Sequence, residues 1–181
     1  MNITVRGIEF NDARLARETL KAIDTLESMG YKPYNLTSVK LRKQQGTFGC
    51  CHTKKSGNRV VENKIYINRK MIEADDRSIQ NLLIHELLHS LKECANCQHD
   101  GMWRECANHI NKCTGLNIQQ YSSYEEYGIT KDKPNTYICK CADCGHVFKR
   151  MGYRAPKWYV HTERFSHTHA DGTRHKIIAV K

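Results

Sequence analysis

The stretch His85-Glu86-Leu87-Leu88-His89 constrains this chain more than any other. Around it, Ile84, Leu87, Leu88 and Leu91 recur at i, i+3, i+4 and i+7, the period of a helix that buries one face. A helix from Asp76 to about Lys92 is therefore predicted. Residues four apart lie one turn apart on the same helix face. Two imidazoles so placed can reach one zinc ion, each at about 2.0–2.1 Å. At about 100° per residue, the histidine face lies roughly 130° from the centre of the apolar stripe. One side can pack while another presents metal ligands. Glu86 follows the first ligand, so its carboxylate can serve a metal-activated water as general base without ligating. A shuffled chain of this composition contains H-E-x-x-H roughly 0.03 times. The competing reading is a solvated histidine pair on an amphipathic helix.

Catalytic zinc commonly has three protein ligands and one open position, so a third donor is needed. The pattern H-E-x-x-H-x-x-G-x-x-H is excluded, because Lys92 and Ala95 stand where its glycine and third histidine would be. Glu105 and His109 are candidates. His99 is favoured by spacing, ten residues after His89 and just ahead of Asp100-Gly101, where the chain can turn back.

Elsewhere, Asn11 and Asp12 can cap a helix running to about Met29, closed by Gly30 and Pro33. Strand-like runs follow at Ser38–Arg42, Thr47–Cys51 and Lys64–Asn68, with a turn at Ser56-Gly57-Asn58. A third helix is expected over Met102–Cys113, with Gly115 just past its end. Residues 116–136 carry a weak signal. From Tyr137 the composition shifts to Cys, His, aromatic and basic residues, which places a module boundary near 131–136.

The net charge is +10, and it is uneven. Residues 131–181 hold 11 Lys/Arg against 4 Asp/Glu, while the first 130 hold 18 against 15. Such a balance favours an acidic partner, most often nucleic acid, although solubility alone explains it equally well. Nine Cys and ten His in a reducing compartment suggest metal sites rather than disulfides. No apolar run approaches the 18 or so residues of a membrane span, and Met1–Phe10 lacks the basic-then-apolar pattern of a secretory signal. The expected location is intracellular and cytoplasmic, nucleoid-associated if the chain binds DNA, with no membrane partner.

At this point the chain resembles the SprT-like (Spartan-type) zinc metallopeptidases. The likeness begins at Thr47-Phe48-Gly49-Cys50-Cys51, passes through Lys64-Ile65-Tyr66-Ile67-Asn68 and Leu82-Leu83-Ile84-His85-Glu86-Leu87-Leu88-His89, and continues with His99-Asp100-Gly101-Met102-Trp103 and Ile110-Asn111-Lys112-Cys113-Thr114-Gly115. It covers roughly residues 8–175. The fourth segment looks like the family's H-G-x-x-F, with Asp100 standing between His99 and Gly101. The resemblance implies that His85, His89 and His99 bind catalytic zinc, that Glu86 is the catalytic acid/base, and that the reaction is peptide hydrolysis. It also implies proteolysis linked to DNA. The strand Lys64–Asn68 is expected to offer the edge against which an extended substrate pairs.

In the tail, Cys141-Ala142-Asp143-Cys144-Gly145 is a C-x-x-C-G knuckle, half of a structural zinc ribbon. The family's ribbon has a second C-x-x-C, but no cysteine follows Cys144 here. Phe165–Gly172 looks like that knuckle with histidines in place of cysteines. Cys141, Cys144, His167 and His169 are the expected ligands of a second, structural zinc, with Cys139 and His161 as substitutes and a metal-free cysteine pair as the alternative. A module of about 50 residues has little core, and zinc would supply folding free energy of about 10 kcal/mol. Tyr137, Phe148, Tyr153, Trp158, Tyr159 and Phe165 lie among its basic residues. Lys149, Arg150, Arg154, Lys157 and Trp158 form the candidate nucleic-acid patch, because cations neutralise phosphates and aromatics stack on unpaired bases. If the aromatics instead fill a small core, the charges are simply solvated.

Cys94, Cys97, Cys106 and Cys113 could bind a further metal, but Trp103, Cys106, Ala107, Ile110 and Cys113 also trace the core stripe of the third helix. Cys50, Cys51 and His52 could likewise bind metal, but packing or a turn is the favoured reading. The expected fold is α+β: an H-E-x-x-H zincin-type metallopeptidase domain over 1–130 and a zinc-ribbon-like basic module over 131–181. The expected activity is zinc-dependent endoproteolysis of proteins bound or crosslinked to DNA, single-stranded or at junctions. Two alternatives remain: a nucleic-acid-binding zinc module with an idle peptidase site, and a metallopeptidase with no nucleic-acid role.

Overall fold

The computed structural model describes residues 2–43, 46–95, 97–130, 133–152 and 154–180. The chain divides into two compact units, Met1–Thr130 and Lys131–Lys181, both of mixed α and β structure.

The first unit opens with a hairpin, β1 (Ile3–Val5) and β2 (Ile8–Phe10). Its two-residue turn, Arg6-Gly7, has positive φ at both positions, as a type I′ hairpin requires. Helix α1 (Ala13–Ser28) follows, and the Asp12 carboxylate accepts from the Leu15 amide at its start. Three longer strands come next: β3 (Leu36–Arg42), β4 (Gly49–Ser56) and β5 (Arg59–Asn68). The sheet order is β1-β2-β3-β5-β4, with β3 parallel to both β2 and β5 and β4 antiparallel to β5. This corrects the expected substrate edge. Lys64–Asn68 is interior, hydrogen-bonded to β3 on one side and β4 on the other, so the edges are β1 and β4.

Helix α2 (Asp76–Leu88) is capped by Asp75, whose carboxylate accepts from the Ser78 amide and hydroxyl. It ends earlier than Lys92. The Ser90 hydroxyl donates to the Leu87 carbonyl, the Tyr34 amide donates to the Ser90 carbonyl, and Leu91 bridges to Pro33. These contacts pull the chain out of the helical path. Helix α3 (Met102–Thr114) closes at Gly115, whose φ of +69° is left-handed, the usual glycine helix stop. Gly101, just before α3, has φ +54° and ψ −125°, a combination open essentially only to glycine.

One core joins sheet and helices. Phe10, Leu15, Leu26, Val39, Ile65, Ile67, Leu83, Ile84, Leu87, Leu88 and Ile110 are at most 1% exposed, and each such side chain contributes about 1.5–3 kcal/mol by leaving water. The third-helix stripe is buried at Trp103, Cys106, Ala107 and Ile110, but Cys113 is exposed.

The second unit is a four-stranded antiparallel sheet, order β7-β6-β9-β8, from β6 (Asn135–Cys141), β7 (Val147–Gly152), β8 (Ser166–Thr168) and β9 (Arg174–Val180). A single-turn helix, α4 (Lys157–Val160), lies between β7 and β8. Its buried apolar residues include Cys139, Cys141 and Ile177, a small core for a free-standing unit. Among the described residues, no helix is long and apolar enough to cross a membrane.

Candidate metal centre

The last turn of α2 carries His85 and His89, and the loop to α3 returns His99 to them. Nε2 of His99 lies 3.0 Å from Nε2 of His85 and 3.1 Å from Nε2 of His89. All three rings are half-buried. Of the other two candidate third donors, Glu105 is exposed in the first turn of α3, and Nδ1 of His109 sits 2.8 Å from the Tyr31 hydroxyl. Neither belongs to the cluster.

The arrangement is held from behind. Nδ1 of His85 donates to the Gln119 carbonyl at 2.8 Å, which leaves Nε2 as the bare acceptor facing the other rings. That carbonyl is itself positioned. The Asn117 amide donates to Asn81 on α2, Arg77 donates to the Gly115 carbonyl, and Asn111 makes a reciprocal pair with the backbone of Ile118. Beneath the three imidazoles lies Trp103, only 2% exposed. Its ring stacks on His89 at 5.7 Å and meets His85 and His99 edge-on at 4.9 and 4.7 Å.

Burial pushes His85 down to about 4, against the opposing Gln119 hydrogen bond, and pushes His89 down to about 4 with help from its histidine neighbours. His99 is lowered as well, again by burial. All three are neutral imidazoles at pH 7. Three neutral nitrogens converging with no acidic residue in the set suit a zinc ion better than calcium or magnesium, which prefer oxygen.

Glu86 is 4% exposed, and burial pushes its carboxyl up to about 8. It lies against the edge strand β4. A Cβ at Gly49 would come within 2.5 Å of its Oε1 and 2.8 Å of its Cγ and Cδ, so any side chain at position 49 would force the Glu86 carboxyl to move. A cleft of about 380 Å³ runs between β4 and the histidines, walled by Gly49, Cys50, Cys51 and Thr53 on one side and Cys97 and Gln98 on the other. Cys50, Cys51 and His52 lie on β4 rather than in a turn. Cys94 and Cys106 are buried, and burial pushes the Cys94 thiol up to about 12, as in a packed, unreactive cysteine. Among the described residues, no metal-sized cluster includes Cys94, Cys97, Cys106 or Cys113.

Several of these parts escaped sequence reasoning. Gln119 acts through a backbone carbonyl, which no residue type announces. Gly49 left a weak signal, since an isolated glycine in a strand can mark a close approach. Trp103 read only as core. Tyr121, 79% exposed, stands with its ring 6.5 Å from that of His99.

In the second unit, Cys141 Sγ lies 3.4 Å from Nε2 of His169, and Cys144 Sγ lies 3.5 Å from Nδ1 of His167. The four donors fall within 4.8 Å of one another, a Cys₂His₂ set of the composition structural zinc takes. Burial raises the Cys141 thiol, but hydrogen bonds with His169, the Cys144 and Asp143 amides and His167 outweigh it and bring it down to about 5. His169 is raised in turn by Cys141. The two substitutes stand apart: the Cys139 thiol faces the Trp158 carbonyl, and His161 faces Glu163.

The basic patch is not one surface. Lys149 and Arg150 are neighbours on β7, so they point to opposite faces. Lys149 shares its face with exposed Val147 and Met151. Arg154 and Lys157 are exposed, whereas Tyr137, Phe148, Trp158 and Tyr159 are half-buried. Tyr137 packs on Tyr159 at 5.1 Å. Tyr153 lies outside the described residues.

No curated protein matches the chain. The sequence model of the SprT-like family matches residues 16–122, more than half of the chain and the whole of the stretch from α2 to Tyr121 that builds the histidine cluster, and the chain belongs to the SprT-like family.

Proposed function

We propose that residues 1–130 form a zincin-type peptidase domain, that residues 131–181 form a zinc-ribbon-like module, and that the protein is a zinc-dependent endopeptidase acting on proteins bound to DNA. The carrying observation is the convergence of three neutral imidazoles beside a buried carboxyl, with the open edge of β4 along the same cleft. His85, His89 and His99 would hold the zinc, and zinc there supplies Lewis acidity toward a water and a scissile carbonyl. Glu86 takes the attacking water's proton and delivers it to the departing amine. Its raised affinity for protons suits that exchange near neutral pH. The free edge of β4 pairs with an extended substrate backbone, and Gln119 and Trp103 hold the imidazoles in place.

Cys141, Cys144, His167 and His169 would hold a second, structural ion. The excess positive charge of the tail supports a DNA partner, and a DNA-bound protein would work in the cytoplasm, at the nucleoid. One observation favours a peptidase without a nucleic-acid role: the basic residues of β7 are split between two faces, and the aromatics beside them are half-buried. Cleavage of a DNA-bound protein, measured with and without single-stranded DNA, separates the two. The reading expects cleavage that Glu86→Gln reduces by about 10²–10⁴-fold and that single-stranded DNA stimulates. Cleavage indifferent to DNA selects the second reading, and equal turnover by Glu86→Gln rejects both.

A further inference from the structure

A second cavity, of about 420 Å³, adjoins the cleft: Thr53, His89 and Ala95 line both. Its remaining wall comes from Tyr34, Asn58 in the β4–β5 turn, Arg59, Val60 and Asn63 of β5, and the segment Ser90–Lys92. Among the described residues, Arg59 and Lys92 contribute its only charges, and no acidic residue lines it. Their side chains make no ion pair or hydrogen bond with any described residue. Two other cations on this sheet are matched, Lys40 to Glu9 and Lys64 to Glu62. Two unmatched cations facing one concavity leave a local positive potential that an anionic group entering from the cleft would satisfy.

We propose that this cavity is a specificity subsite for an acidic side chain, Asp or Glu, of the polypeptide being cleaved. The inference rests on the peptidase reading. A polypeptide is favoured over a nucleic-acid phosphate because Thr53, on the strand where the substrate backbone would pair, lines both the cavity and the cleft. Gly49 sits against Glu86 and Thr53 lines the cavity four positions along β4, about 13 Å at the usual strand rise. The acidic residue is therefore expected within about four residues of the scissile bond. Asn63 contributes shape rather than charge, since its amide is already committed to the Tyr34 carbonyl and the Thr53 hydroxyl.

The test uses the full-length zinc-loaded protein and fluorogenic peptides that differ only in carrying Glu, Gln or Lys at one position within four residues of the cleaved bond. The expected result is a kcat/KM about tenfold higher for Glu than for Gln at one such position, a ratio that falls toward one in Arg59→Ala/Lys92→Ala and inverts in favour of Lys in Arg59→Glu/Lys92→Glu. The same order is expected in peptide binding to the Glu86→Gln variant, a readout independent of turnover. Equal kcat/KM for Glu and Gln at every position, or a preference untouched by the substitutions, overturns the proposal while leaving the peptidase reading intact. If no peptide is cleaved, that reading fails, and the binding series alone decides the subsite. Loss of oligonucleotide affinity in Arg59→Ala/Lys92→Ala with no change in peptide preference assigns the cavity to nucleic acid instead, which also overturns it.

Discussion

At the scale of single residues, the close approach of Gly49 to Glu86 makes the sharpest demand. Even a methyl at position 49 meets a buried carboxylate at 2.5 Å, and overpacking of this kind typically costs about 1–3 kcal/mol. Gly49→Ala is expected to lower the urea midpoint accordingly. In a Glu86→Ala background most of that cost should vanish, because the clashing atoms are gone. Equal costs in both backgrounds would mean that the strand, not the carboxyl, resists the side chain. Motif spacing made His85, Glu86 and His89 legible in the sequence, because i and i+4 on a helix is a local relation. Gly49 and the Gln119 carbonyl were not, since their roles arise from segments more than 30 residues away that only the folded sheet and the α2–α3 packing bring near.

Between elements, α1 and α2 are tied by a buried carboxylate. Glu18, whose side chain is fully buried, accepts from Arg17 at 2.8 Å, Lys21 at 3.1 Å and Gln80 of α2 at 3.0 Å. Burial raises its pKa, but these hydrogen bonds outweigh burial and hold it below the ordinary range. A carboxyl lowered in the folded state stabilises fully above its unfolded pKa, near 4.3, and that contribution is lost as pH falls through the folded value. Glu18→Gln should therefore cost about 1–3 kcal/mol at pH 7 and flatten the loss of stability below about pH 4, as read by chemical denaturation across pH. The helices themselves were readable from local signals: Asp12 and Gly115 mark the start of the first and the end of the third, and the second was expected from Asp76. The early stop of α2 at Leu88 was not, because Leu91 is held by a bridge to Pro33, a contact far away in sequence. Nor was the edge position of β4, since sheet order follows from parallel pairing across crossovers rather than from alternation within a strand. The three-residue strands of the first hairpin are too short for alternation to register.

For the whole molecule, two units with unequal cores should respond unequally to metal removal. The first buries a broad apolar core. The second has few buried apolar residues and a four-donor Cys/His cluster. Chelation is expected to release amide protection across residues 135–180 while leaving α1 and the β3–β5 strands protected in hydrogen exchange. Uniform protection in both units after complete zinc removal would show that the tail folds without an ion. The most direct test of the account is zinc content per chain by elemental analysis of the purified full-length protein. About two ions are expected, falling to about one in His85→Ala/His89→Ala and to about one in Cys141→Ser/Cys144→Ser. Stoichiometry unchanged by the histidine pair would contradict the histidine cluster as a metal centre, and with it the peptidase reading built on that centre.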